Sequence, residues 1–157
     1  MRRVVVIGIG NAYRRDDAAG LAVVRRLREA VLPGTVVVEA EADPMLILEH
    51  CAGAEAAVII DAVSSGGQPG TVYRLDAGGS PLPERLFGAT STHALSVGEV
   101  VELARTLGTL PPRVTVFGIE GRAFEAGEGL SPEVAAAVER VASEITAEAA
   151  AMAVGPT

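Results

Sequence analysis

The chain has 157 residues, 49% of them hydrophobic and 21% charged, the composition of one globular domain (residues 1–157) with room for a single sizeable core. Its 13 basic and 20 acidic residues leave a net charge of -7, which repels phosphate backbones and anionic membrane surfaces and argues against nucleic acid or membrane as a partner. All 13 basic residues are arginine, excluding a P-loop lysine and any lysine nucleophile or base, and the lone Cys51 excludes an internal disulfide and leaves a cytoplasmic location unopposed. In chain order, Val4 to Ile7 is a β-branched run stopped by Gly8, which predicts a buried parallel strand; it is too short for a signal-peptide core or a membrane span. Helical spacing of Ala18, Leu21, Val24, Leu27 and Val31 predicts a helix from Asp17 to about Ala30, ended by Pro33-Gly34.

Thr35 to Val38 reads as a second strand, Pro44 to Cys51 as a short helix, and Ala56 to Ile60 as a third strand with Asp61 at its carboxy end. A turn-rich loop, Ser64 to Gly70, leads to Thr71–Leu75, whose mixed pattern suggests an edge strand, with antiparallel pairing as an option. Asp76 to Thr90 is expected to be a long loop. A helix is expected from about His93 to Leu107, closed by Gly108, although Ser96-Val97-Gly98-Glu99 also fits a capping box and leaves the start open. Arg113 to Gly118 is the fifth strand and Ile119 to Leu130 a second loop. Ser131-Pro132 then opens a last helix, serine as N-cap, that fades into an Ala-rich tail by Met152. Alternating strands and helices predict a three-layer α/β/α fold: a twisted, mostly parallel five-stranded sheet with helices on both faces. In such sheets ligands gather beyond the carboxy ends of the strands.

Three polar clusters fall there. The turn Gly8-Ile9-Gly10-Asn11-Ala12-Tyr13 begins like a dinucleotide fingerprint, but Tyr13 stands where the third glycine belongs, and Asp16 and Asp17 would repel a phosphate. Asp16 is expected to cap the helix, which leaves Asp17 over. Asp61, ending a buried strand, is either a structural acid bonded to loop amides or a ligand or acid–base carboxylate. His93 is either an ordinary helix-start histidine or a ligand, while His50 reads as surface or packing. Two carboxylates and an imidazole at one rim suit a borderline divalent ion such as nickel or zinc. A phospho-acceptor receiver domain shares the acid spacing, but it needs a lysine after strand five.

Gly8-Ile9-Gly10-Asn11, Asp16-Asp17-Ala18-Ala19-Gly20, Ile60-Asp61-Ala62, Pro69-Gly70-Thr71 and Thr92-His93 together resemble the hydrogenase maturation proteases, the endopeptidases that trim the C-terminus of the [NiFe] hydrogenase large subunit. The resemblance covers nearly the whole chain. It implies that Asp17, Asp61 and His93 hold a divalent metal, understood to be the nickel already placed in the large-subunit precursor, which is the expected partner of a monomeric enzyme. No nucleotide cofactor is expected. Where many relatives carry Asp-Gly-Gly after strand two, this chain has Glu39-Ala40-Glu41-Ala42-Asp43-Pro44. With no G-x-S-x-G elbow, and Cys51 near no base except His50, peptide hydrolysis is expected to use metal-activated water, or Asp17 or Asp61 as general base in an aspartic-type reaction. The alternative is a non-enzymatic nickel-binding or checkpoint module that holds the same precursor without cutting it.

Overall fold

A computed structural model describes residues 3–30, 32–41, 43–88 and 95–154 of the chain. The β-branched opening run forms strand β1 (Val4–Gly10), followed by a 3-10 turn (Arg15–Ala18), helix α1 (Ala19–Leu27) and strand β2 (Thr35–Glu41). Helix α2 (Leu46–Cys51) leads to β3 (Ala56–Val63) and β4 (Val72–Asp76). Then come α3 (Glu84–Phe87), α4 (Val97–Leu107), β5 (Arg113–Glu120) and α5 (Pro132–Val154). The strands form one sheet in the order β2-β1-β3-β5-β4; all pair in parallel except β4, an antiparallel edge strand beside β5.

The period-two alternation of side chains sorts the strands into two cores. Val5, Ile7 and Ile9 of β1 face one side of the sheet with Ala57, Ile59 and Val63 of β3, under α2, α3 and α4. Val6, Ile60 and Phe117 face the other side, under α1 and α5. The expected three-layer α/β/α fold is therefore present, with α1 and α5 on one face and α2–α4 on the other.

Three expectations are corrected. The loop expected over Asp76–Thr90 contains α3, because Leu82 and Phe87 turn into the core; Arg105 of α4 pins the preceding stretch by donating to the carbonyls of Ala77, Gly78 and Ser80. Helix α4 begins at Val97, not near His93: Ser96 accepts from the Glu99 N–H and Glu99 accepts from the Ser96 N–H, so the capping box sets the start. Strand β3 runs on through Asp61 to Val63, since its β5 pairing continues to Val63–Glu120.

The register creates a fork. β1 pairs with β2 as far as Gly10–Glu41, but with β3 only as far as Gly8–Ile60. Chain connections leave β1 and β3 toward opposite ends of the sheet, so the fork lies at the topological switch point, where an open parallel sheet offers its ligand crevice. Gly8 and Gly20 let α1 press into this fork: a methyl at Gly20 would overlap the carbonyl oxygens of Ile9 and Ile60, and one at Gly8 would overlap the Gly20 carbonyl. The close helix–strand packing that a dinucleotide fingerprint assigns to its third glycine is supplied here by Gly20.

Candidate active site

A cleft of about 600 Å³ opens at the fork, and Asp17 and Asp61 both line it. Asp61 belongs to β3 just past its last pair with β1, and shares the strand face of Ala57, Ile59 and Val63. Burial pushes its carboxyl well above the ordinary range, and the nearby Asp17 carboxylate pushes it the same way. Asp17 sits on the 3-10 turn, half-buried, with Oδ2 accepting the Asn11 N–H at 3.1 Å. Burial raises its pKa as well, against the pull of the Arg14 guanidinium and the Asn11 N–H.

Asp16 does a different job from the cap expected of it. Its side chain makes no cap to the 3-10 turn or to α1, and it is fully buried. Oδ2 accepts from the Arg122 N–H at 2.8 Å, the Ala123 N–H at 2.9 Å and the Ser131 hydroxyl at 2.8 Å, while Oδ1 accepts from the Ser131 N–H at 2.7 Å. Burial pushes its pKa up, but the bonds from Ser131, Ala123 and Arg122 outweigh it and hold the carboxyl below its ordinary value. The loop after β5 is therefore stapled to the turn that carries Asp17. Backbone bonds reinforce the staple: Arg15 N–H to Gly127 carbonyl, Gly127 N–H to Tyr13 carbonyl and Asp16 N–H to Ala123 carbonyl. Arg15 lies in the left-handed region at φ 47°, a strained conformation for arginine held by these contacts.

A second buried acid, Glu120, ends β5. It accepts from the Ser65 N–H at 2.8 Å, the Ser65 hydroxyl and the Tyr73 hydroxyl at 2.9 Å, which fixes the loop that continues β3 beyond the cleft residue Ser64. Neither buried acid was legible as such, because their partners lie 47 or more residues away in sequence. Cys51 is fully buried and its thiol is pushed up to about 11 by burial, which suits packing and not nucleophilic attack.

His93, expected as the third member of the site, lies outside the described residues, whose bordering positions Gly88 and Leu95 both line the cleft. Among the described residues no set of three histidine, cysteine or carboxylate groups is placed to hold a metal, so Asp17 and Asp61 are an incomplete donor pair by themselves. Also among them, no helix is long and apolar enough to cross a membrane.

A family model described as hydrogenase maturation protease matches residues 21–148. The chain belongs to the hydrogenase maturation protease family. It is 29% identical to the hydrogenase 2 maturation protease of Escherichia coli, over 92% of this chain and 89% of that protein. It is 30% identical to the hydrogenase expression/formation protein HupD of Rhodobacter capsulatus, over 93% of this chain and 70% of that one. Among solved structures it is similar to the [NiFe] hydrogenase maturation protease HycI of Thermococcus kodakarensis, with a TM-score of 0.72 and 28% identity over 92% of this chain and 90% of that chain. As a hydrogenase maturation protease the chain is a peptidase, a hydrolase that processes a hydrogenase precursor.

Proposed function

We propose that this maturation protease removes a C-terminal extension from the nickel-loaded large-subunit precursor of a [NiFe] hydrogenase, and that Asp17, Asp61 and His93 meet the nickel which the precursor brings as part of the substrate. The observation that carries this reading is that two carboxylates from separate elements enter one cleft at the switch point, where the charge of Asp17 opposes ionisation of Asp61. Such a pair is relieved by a divalent cation. One imidazole added to two carboxylates makes a donor set suited to nickel or zinc. His93 belongs to the stretch between two cleft residues, Gly88 and Leu95, which supports giving it that role.

A bound divalent ion polarises a carbonyl and acidifies its water. The chain's own contribution is to place the scissile peptide at the fork and to handle protons. Asp17 and Asp61, the two carboxylates at the fork, are the groups suited to take the proton of the attacking water and return it to the leaving amine. Asp17 is held in place by the Asn11 N–H. Function in the cytoplasm, as a monomer, belongs to the same proposal.

Incubating the purified chain with nickel-loaded precursor tests it, with intact-mass analysis of the large subunit. A single C-terminal truncation is expected with nickel and none with precursor made without nickel. His93→Ala is expected to abolish truncation while leaving the melting temperature unchanged. A stable, uncut complex with the wild-type chain would overturn the catalytic reading in favour of a checkpoint module, and normal trimming by His93→Ala would overturn the three-ligand assignment.

A further inference from the structure

We infer that Arg14 and Arg85 form a cationic clamp at the mouth of the cleft that receives a carboxylate of the extension being removed. This rests on the peptidase reading and adds a specificity determinant to it. Several arginines of this acidic chain are already neutralised on the surface. Arg25 and Arg28 pair with Glu39, Arg26 with Glu139, Arg74 with Glu144 and Glu148, and Arg122 with Glu133. Arg14 and Arg85 are exposed, both line the cleft, and neither pairs with a carboxylate within salt-bridge distance among the described residues. They reach it from different layers. Arg14 comes from the turn after β1, on the α1 side, and Arg85 from α3, on the opposite face of the sheet.

Arg14 is also oriented. Its Nε donates to the Phe124 carbonyl at 3.2 Å, and among the described residues its two terminal nitrogens make no hydrogen bond. A guanidinium fixed at Nε with its fork free presents paired donors that match a carboxylate. The surroundings favour a peptide over a small anion. Leu95 lines the cleft at 41% exposure, and the exposed Tyr13 and Met45 are chain neighbours of the lining residues Arg14 and Pro44. Phe87, Leu95 and Phe124 put apolar and aromatic surface beside the two guanidinium groups, which fits an extended segment with mixed side chains and one acidic group. That group is either an Asp or Glu side chain of the extension or its terminal α-carboxylate.

The test uses full-length nickel-loaded precursor and steady-state processing kinetics of Arg14→Gln, Arg85→Gln and the double variant. Each single change is expected to raise KM roughly three- to tenfold with kcat within twofold, since the clamp binds a part of the substrate that does not react. The KM of the wild-type chain is expected to rise with salt more steeply than that of the double variant. Two altered precursors identify the group: one with the acidic side chains of the extension neutralised, one with a neutral tail that carries the α-carboxylate away. The precursor that lacks the recognised group is expected to abolish the difference between wild type and double variant. A double variant with KM within twofold of wild type on the native precursor, or one whose defect persists undiminished on both altered precursors, would overturn the clamp. Failure of the wild-type chain to trim any precursor would instead remove the peptidase reading beneath it.

Discussion

Replacing Asp16 with asparagine is expected to unclasp the turn that carries Asp17, and the structure sets the size of the effect. The carboxylate accepts four hydrogen bonds, three at Oδ2 and one at Oδ1. An asparagine keeps most of them by placing its carbonyl where Oδ2 was, and its NH2 then faces the Ser131 N–H, donor against donor. One buried unsatisfied donor costs about 1–3 kcal/mol, and three charge-assisted bonds reduced to neutral ones lose on the order of 0.5–1 kcal/mol each. Relief from burying a charge offsets part of this, but the lowered pKa of Asp16 shows that its bonds outweigh burial. A net loss of about 3 kcal/mol is expected, or roughly 6–12 °C in Tm for a domain of this size. Urea and thermal unfolding at pH 7 measure it, with the exposed Glu128→Gln as a control for charge loss. The pH dependence has a definite sign. A carboxyl whose folded pKa lies below its ordinary 3.8 stabilises the fold above that value and loses the contribution as pH falls through the folded pKa. The gap between wild type and variant is therefore expected to be flat from about pH 8 to 5 and to close only in stronger acid. Asp16→Asn within about 0.5 kcal/mol of wild type at pH 7 would refute the Asp16 staple, since ordinary surface substitutions fall in that range.

Three further outcomes follow from the same contacts. Gly20→Ala places a methyl on the Ile9 and Ile60 carbonyls, and since both are backbone the helix must move; a loss of about 3 kcal/mol or more, read by urea unfolding, is expected together with loss of processing. Asp61→Asn is expected to abolish processing while raising Tm of the metal-free chain at pH 7, because a carboxyl whose pKa is raised by burial destabilises the fold once it ionises; the advantage should vanish as pH falls below the unfolded carboxyl range near 4. Glu120→Gln leaves one of the two Ser65 donors facing an amide in place of a carboxylate, so faster amide exchange or proteolytic cutting within residues 64–70 is expected, with a stability loss of about 1–3 kcal/mol by urea unfolding.

What could be read from the residues in advance was local. The β-branched runs gave their strands because side-chain branching and period-two burial act within a few residues. The edge character of β4 followed from Arg74 sitting beside Val72 and Tyr73, and the last helix opens at Pro132 as its Ser-Pro pair predicts. At α4 two local signals competed, and the reciprocal Ser96–Glu99 bonds decided the start. The entry of Asp17 and Asp61 into one cleft was legible from the rule that strand ends collect ligands. Asp16 shows where such reading stops. Its carboxylate looked like a helix cap, and its four donors belong to residues 106 to 115 positions further on, which no periodicity can announce. Glu120 was hidden for the same reason, and α3 because the burial of Phe87 depends on the facing layer. The Gly8–Gly20 contact was disguised by the expectation that a third glycine would stand at Tyr13.

The division of labour within the site bears on how, under the proposed function, the protease would act on a nickel-loaded precursor. Gly20 wedges α1 into the fork and Asp16 locks the turn, so Asp17 and Asp61 stand on backbone that the fold has already fixed. Two carboxylates alone are hard donors that favour ions such as magnesium or manganese, and their mutual repulsion makes ionisation of the pair unfavourable until a cation arrives. A borderline ion such as nickel needs softer ligands besides. His93 supplies one in our proposal, and the remaining donors must come from whatever already holds the ion. Under that proposal, a pair of hard acids completed by one imidazole would recognise nickel already held by the precursor, and substrate selection would follow from the donors the precursor itself supplies.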